Sequence, residues 1–146
     1  MVAELTHFIG GKHVKGASGR FTEAFWPMTG EVASKVPLAN VAEVRAAVEN
    51  AKAAQPGWAA TNPQRRARVL MKFLELVHQE YDQLALLLAK EHGKTVADAK
   101  GDIQRGLEVV EFCIGAPQML KGEFTDGAGP NIDIYSMRQP LGVVAG

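Results

Sequence analysis

The hydrophobic pattern of the chain changes character near residue 40. Before it, apolar residues come in short runs cut by glycine and proline, the pattern of strands and tight turns. Phe8, Ile9 and Val14 flank Gly10-Gly11, which predicts a hairpin over residues 8–14 with a two-residue primed turn. Residues 16–19 read as a loop, and residues 21–26 as an extended piece closed by Pro27-Met28-Thr29-Gly30. A second strand is expected over 31–36 and ends at Pro37. All these strands read as antiparallel.

After residue 40 the apolar period lengthens to that of a helix. Val41, Val44, Val48 and Ala51 share one face, and Asn40 with Glu43 forms a capping box. These predict a helix over 41–54 that Pro56-Gly57 breaks, with Trp58 docking as an apolar anchor. Asn62-Pro63 starts a second helix, whose buried stripe is Val69, Leu70, Phe73, Leu74 and Val77. A third covers 81–91, with Leu84, Leu87 and Leu88 inward and Gly93 as its stop. Thr95 and Asp98 form a further capping box, and the helix they open is expected to run to about Met119. Gly101, Gly106 and Gly115 inside it suggest close approach by another backbone or a ligand. Residues 121–130 read as a glycine-rich loop and 131–138 as a strand with Ile132 and Ile134 on one face. The final residues, from Arg138 through Pro140-Leu141-Gly142-Val143-Val144, lead toward what reads as a buried α/β strand. A chain that stops there is expected to be the front part of a longer one.

Composition narrows the function classes without choosing among them. Lys+Arg and Asp+Glu both number 16, so no basic field favours nucleic acid or anionic lipid. The neutral balance is compatible with an oligomer. A single cysteine excludes an intramolecular disulfide framework. Residues 1–6 have no signal-peptide character, and no apolar run is long enough to span a membrane, so the cytoplasm is the expected compartment.

The short motifs mostly have structural readings. Gly93-Lys94-Thr95 ends like a phosphate-binding loop, but Leu88 stands where that motif needs its first glycine; a helix stop followed by a helix cap explains the same residues. Gly127-Ala128-Gly129 is followed by Pro130 instead of a helix start, and reads as a flexible connection. Arg65, Arg66, Arg68 and Lys72 lack interleaved aromatic residues and read as a solvated helix face. The four histidines lack metal-ligand spacing, and Cys113 between Phe112 and Ile114 is expected to be a buried, inert thiol. Arg105 stands apart, flanked by Gly101 and Gly106, where a guanidinium could present its fork to a ligand carboxylate; pairing with Asp102 or Glu108 is the alternative. The residues alone define a mixed α/β piece and leave a helical binding module open.

Several segments, in order, resemble the N-terminal part of an aldehyde dehydrogenase. They are Thr29-Gly30-Glu31 with Val36-Pro37, the helix leading to Trp58, residues 65–70, Glu91-His92-Gly93-Lys94-Thr95 and Arg138 to Val144. Within that superfamily, two stretches resemble methylmalonate-semialdehyde dehydrogenases. One is His92 to Thr95 continuing through Asp98, Gly101-Asp102 and Arg105 to Glu111; the other is Ile132-Asp133-Ile134-Tyr135-Ser136. The resemblance implies an α/β fold with residues 1–124 as the N-terminal, mostly helical part of a Rossmann-like NAD-binding domain. Residues 125–140 would start an oligomerisation sheet, with subunits joining through the 132–138 strand, and 141–146 would return to the NAD-binding core. It implies a cysteine nucleophile that attacks a semialdehyde, hydride transfer to NAD, and coenzyme A as acyl acceptor. No catalytic or NAD-binding residue of that family maps onto this chain, and Cys113 lacks the nucleophile's context. Arg105 maps to a helix bordering the substrate tunnel, which implies contact with the substrate carboxylate. Another aldehyde dehydrogenase subfamily remains an alternative on these residues.

Overall fold

The structure, a computed structural model, describes residues 2–146; Met1, which the reading of residues 1–6 included, lies outside them. Its strands and helices follow the predicted order. The hairpin pairs β2 (His7–Ile9) with β3 (Lys12–Val14), and both turn glycines take positive φ, 60° at Gly10 and 75° at Gly11. A second sheet has the order β1-β5-β4, from Ala3–Glu4, Phe21–Phe25 (β4) and Val32–Pro37 (β5). β4 and β5 are antiparallel, but β1 runs parallel to β5, pairing Ala3 with Ser34 and Glu4 with Lys35. This departs from the all-antiparallel expectation. Two residues carry no hydrophobic period, so local sequence cannot announce their direction.

The capping chemistry is local and forms as the sequence predicts. In α1 (Val41–Ala60), the Asn40 side chain accepts from the Glu43 amide, while the Glu43 carboxylate accepts from the Asn40 amide, each at 2.9 Å. The same carboxylate accepts from the Ala17 amide at 2.6 Å, tying the preceding loop to the helix; these two amides hold Glu43 below the usual carboxylate range. α1 does not break at Pro56-Gly57. It continues to Ala60, and Thr61 closes it by donating its amide to Trp58 O and its hydroxyl to Gly57 O. Proline removes one donor from the ladder; here the helix absorbs that loss and stops a turn later.

α2 (Pro63–Gln79) starts at Asn62, whose side chain accepts from Gln64 N. α3 (Tyr81–His92) ends at Gly93 with φ 77°, a left-handed stop. Thr95 caps α4 (Val96–Ile114) by accepting from Asp98 N, but the Asp98 carboxylate turns to Lys94 instead of completing the box. α4 stops at Ile114, short of Met119, and a separate turn, α5 (Ala116–Met119), follows Gly115. Pro117 lacks the amide that a continuous helix would use, so the interruption falls at this Gly-Ala-Pro step.

The core is thin and made of small residues. Ala67, Ala85, Ala89, Ala99 and Leu107 are buried, and Leu88 and Ile103 pack against the Ala85–Ala89–Ala99 cluster where α3 meets α4. Leu70, Leu74, Leu84 and Val77 are half-buried as part of the expected stripes. Val69, Phe73 and Leu87, also expected inward, are exposed, as are Val41, Val44 and Val48 of α1. The turn after β4 docks onto the helices: Lys90 Nζ lies 4.3 Å from the Trp26 ring centroid, and Pro27 and Met28 press on Gly93.

Residues expected to form a glycine-rich loop instead include a strand. β6 (Phe124–Gly129) pairs antiparallel with β7 (Ile132–Tyr135) around a Pro130-Asn131 turn, with Asn131 at φ 58°. The ladder is irregular between Thr125 and Gly129, where the Asp133 carboxylate accepts from the Gly127 amide at 2.9 Å. Glycines at 127 and 129 hid a strand whose pairing is completed by the next segment. Residues 141–146 form no strand, against the expectation of a buried one; Leu141 and Val144 are exposed, and Val143 lines a groove beside Val48. A buried strand needs hydrogen-bonded neighbours, and none among the described residues pairs with these.

Candidate functional site

The site is built on α4 and the turn before it. α4 has two faces of different character. Ile103, Gly106, Leu107 and Val110 look onto α3 and α2, where they line an open apolar groove of about 570 Å³. Residues 103 and 105 are separated by about 200° around a helix. Arg105 therefore lies on the opposite side, and its side chain is 69% exposed. Val109 and Phe112 follow it at i+4 and i+7, and both are exposed. The outer face of α4 thus carries a guanidinium at one end of an apolar strip.

The close approach expected at the helix glycines is not seen at Gly101 or Gly106 among the described residues, and at Gly115 the near group is Phe112 O of the preceding turn, 3.1 Å from a built Cβ. Nothing stands within 4 Å of a Cβ built on Gly106, and Gly101 meets only Arg105 Nη1 at 3.8 Å. The space beside Gly101 is where the Arg105 side chain lies.

A charge relay supports that guanidinium from below. Arg105 Nη2 donates to Asp102 Oδ1, and the other oxygen of the same carboxylate receives Lys94 Nζ. Lys94 also reaches Asp98 Oδ2 at 2.6 Å. Its side chain is only 14% exposed, so the ammonium is tucked between the two carboxylates. The αL stop at Gly93 turns the chain so that Lys94 lies over the first turns of α4. Lys94 holds the Asp102 carboxyl below its ordinary value of 3.8, with Arg105 adding to the effect, and Asp102 and Asp98 together raise the Lys94 ammonium. The sequence named Asp102 as a possible partner of Arg105. It did not reveal Lys94, although the spacing 94, 98, 102 was a signal for one helix face.

The sign of the pH dependence follows. A carboxyl whose folded value is depressed stabilises the fold above its ordinary value, and that contribution fades as pH falls through the folded value. A raised ammonium stabilises below 10.5 and loses its contribution as pH rises through its folded value. The relay should therefore be insensitive to pH through the neutral range. Carbon-13 NMR of the Asp102 carboxyl should show a midpoint below 3.8 that returns toward it in Lys94→Met. A midpoint at or above 3.8 in the unmodified chain would mean that the relay does not form.

The other candidates have structural places. Cys113 is exposed, not buried as expected, and lines a cleft with Trp58, Arg66, Leu70 and Pro117. No carboxylate or imidazole lines that cleft with it among the described residues. Trp58 contributes one wall while remaining half exposed. Arg66 Nε is buried without a hydrogen-bond partner at the same cleft. No group of three metal-ligating side chains occurs among the described residues, and no helix among them is long and apolar enough to cross a membrane.

NAD fits poorly to the residues present. A dinucleotide site needs a strand, a glycine turn and a helix N-terminus in succession. Gly127-Ala128-Gly129 lies within β6 and leads to β7, and Gly93 joins two helices. No residue of this chain is therefore assigned to the cofactor.

The chain matches the model of the aldehyde dehydrogenase family over residues 13–146, and it belongs to that family. It is 46% identical over 142 residues to the malonate-semialdehyde dehydrogenase of Pseudomonas aeruginosa, covering 97% of this chain and 28% of that protein. To the mitochondrial, acylating methylmalonate-semialdehyde dehydrogenase of Arabidopsis thaliana it is 44% identical, covering all of this chain and 24% of that one. Among solved structures, a protein described as a methylmalonate-semialdehyde dehydrogenase of Sinorhizobium meliloti 1021, complexed with NAD, superposes with a TM-score of 0.92 at 63% identity. That likeness covers 97% of this chain and 29% of the other. The chain thus spans about a quarter to three tenths of the length of these relatives. The α/β aldehyde dehydrogenase fold expected from the resemblance is borne out.

Proposed function

We propose that this chain is the N-terminal part of an NAD-dependent, coenzyme A-acylating methylmalonate- or malonate-semialdehyde dehydrogenase. The reaction would convert semialdehyde, coenzyme A and NAD to propionyl- or acetyl-coenzyme A, carbon dioxide and NADH. Arg105 is the residue that binds the substrate carboxylate. The observation that carries this reading is the outer face of α4, where an exposed guanidinium heads the apolar strip of Val109 and Phe112. A short semialdehyde has the same order of parts: a carboxylate at one end and an uncharged carbonyl beyond a carbon or two. Arginine presents two parallel donors to a carboxylate, and one edge of Arg105 remains free when the other is on Asp102. The names of the Pseudomonas and Arabidopsis relatives support the substrate class, and "acylating" in the latter supports coenzyme A.

In the same reading residues 1–124 belong to the NAD-binding domain, 125–140 begin the oligomerisation sheet, and 141–146 re-enter the NAD-binding core. The exposed Phe124, Ile132, Ile134 and Tyr135 of the β6–β7 hairpin support its use in subunit contact. The cytoplasm is the proposed compartment, although the Arabidopsis relative is named mitochondrial.

The test uses a completed enzyme: this chain joined to the residues that follow the matched segment of the Sinorhizobium meliloti protein. Arg105→Leu should raise KM for malonate semialdehyde roughly ten- to hundredfold, the loss of a charge-assisted pair. KM for propanal, which has no carboxylate, should stay within about twofold. Equal changes for both substrates would remove Arg105 from carboxylate recognition.

A further inference from the structure

Resting on the reading of Arg105 as the carboxylate binder, we infer that Asp102 is the positioning residue that aims it, and that Lys94 fixes Asp102 by holding its other oxygen, so that Asp102 grips Arg105 through one oxygen alone. The geometry carries both halves. Asp102 divides its carboxylate, Oδ1 to Arg105 Nη2 and Oδ2 to Lys94 Nζ. A long arginine side chain on an exposed helix face has many rotamers, and each hydrogen bond to a fixed acceptor removes several of them. Asp102 is fixed because it is one-third exposed, lies one turn before Arg105 and is gripped from behind by the largely buried Lys94.

An unassisted aspartate would make a poor positioning group. Alone with Arg105 it would form a neutral pair and compete with the substrate for the guanidinium. With Oδ2 held by Lys94, which Asp98 also shares, Asp102 grips Arg105 through Oδ1 alone, and the rest of the exposed guanidinium stays open to a ligand. The neighbouring charged groups do not take over its role. Asp98 is held by Lys94, and Glu108 accepts from Gln104 Nε2 at 3.3 Å. Lys100 is occupied across the helix pair by Asp82 at 2.6 Å. Asp102 is therefore the only acceptor among the described residues that engages Arg105. In substrate recognition it acts through Arg105 and touches no reacting atom.

The experiment compares Asp102→Asn, Asp102→Glu, Lys94→Gln and Arg105→Leu in the completed enzyme, with malonate semialdehyde and propanal as paired substrates. Asp102→Asn should raise KM for malonate semialdehyde about three- to tenfold, smaller than the effect of losing the guanidinium itself. The propanal KM and both kcat values should stay within about twofold. Asp102→Glu should recover at least half of the loss, and Asp102→Asn should add little on top of Arg105→Leu, since the two act as one unit. Lys94→Gln should move the same KM in the same direction, and it carries the test if Asp102→Asn fails to fold. The positioning role is overturned if Asp102→Asn leaves KM for malonate semialdehyde unchanged or lowers it, which would make Asp102 a competitor. It is overturned equally if both substrates suffer alike together with a lower Tm, the mark of a purely structural residue. In each of those cases a selective Arg105→Leu effect would leave Arg105 standing as the carboxylate binder, whereas an unselective one would remove both that role and the positioning role of Asp102.

Discussion

The 146-residue chain alone should form no measurable NADH from malonate semialdehyde, coenzyme A and NAD, whereas the completed enzyme should turn over on the order of 1 to 1,000 times per second. Aldehyde oxidation through a covalent intermediate needs an activated nucleophile and a group to take its proton. Cys113 is the single thiol, and it is exposed. The cleft it lines offers Arg66, whose guanidinium has hydrogen-bond donors and no acceptor, beside Trp58, Pro63, Leu70 and Pro117. No side chain there can accept a proton, and no strand–glycine turn–helix unit among the described residues can seat a dinucleotide. Cys113→Ser in the completed enzyme should accordingly leave kcat within about twofold. NADH production by the isolated chain at enzyme-like rates, or a dead Cys113→Ser enzyme, would show that Cys113 is the nucleophile and that the map of the family onto this chain is wrong.

What could be read from the sequence follows the range of the forces involved. Asn40 with Glu43, Asn62 before Pro63, Gly93 and the Gly10-Gly11 turn all satisfy backbone groups within four residues, so their outcome is encoded where they stand. The misread elements depend on residues outside their own short span. β1 is a strand only because Ser34 and Lys35 accept it, and β6 only because β7 returns alongside. Pro56 was read as a break from its missing donor, yet the surrounding turns keep α1 together. Val69, Phe73 and Leu87 have the period of a buried stripe, but a period shows that a face is apolar without saying what covers it. The site divides in the same way. Arg105 stood out through its glycine neighbours and through the resemblance. Lys94 did not, because its direction depends on the left-handed turn at Gly93 that delivers it onto α4.

Replacing Ala99 by leucine should destabilise the helical part of the chain by about 1–3 kcal/mol, the usual cost of forcing extra carbons into a filled interface. Ala85 and Ala99 are each 0% exposed, one on α3 and one on α4, so the methyl groups are what sets how near the two helices come. Both methyl groups are fully enclosed, and the interface is anchored at one end, where Tyr81 Oη donates to Lys100 O at 2.7 Å. A leucine at 99 must either leave its preferred rotamer or push the helices apart and stretch that bond. Ala97 lies on the same helix but is exposed, so Ala97→Leu should change stability by no more than about 0.5 kcal/mol, which separates packing from helix propensity. Urea unfolding followed by circular dichroism compares the two. Equal stability for Ala99→Leu and Ala97→Leu would mean that α3 and α4 are not in close contact at Ala99. The substitution also reaches the site, because Lys94 crosses from the end of α3 to Asp98 and Asp102 on α4, and a wider interface lengthens that crossing. The Asp102 carboxyl in Ala99→Leu should therefore titrate closer to its ordinary 3.8 than in the parent chain, coupling the small-residue core to the aim of Arg105.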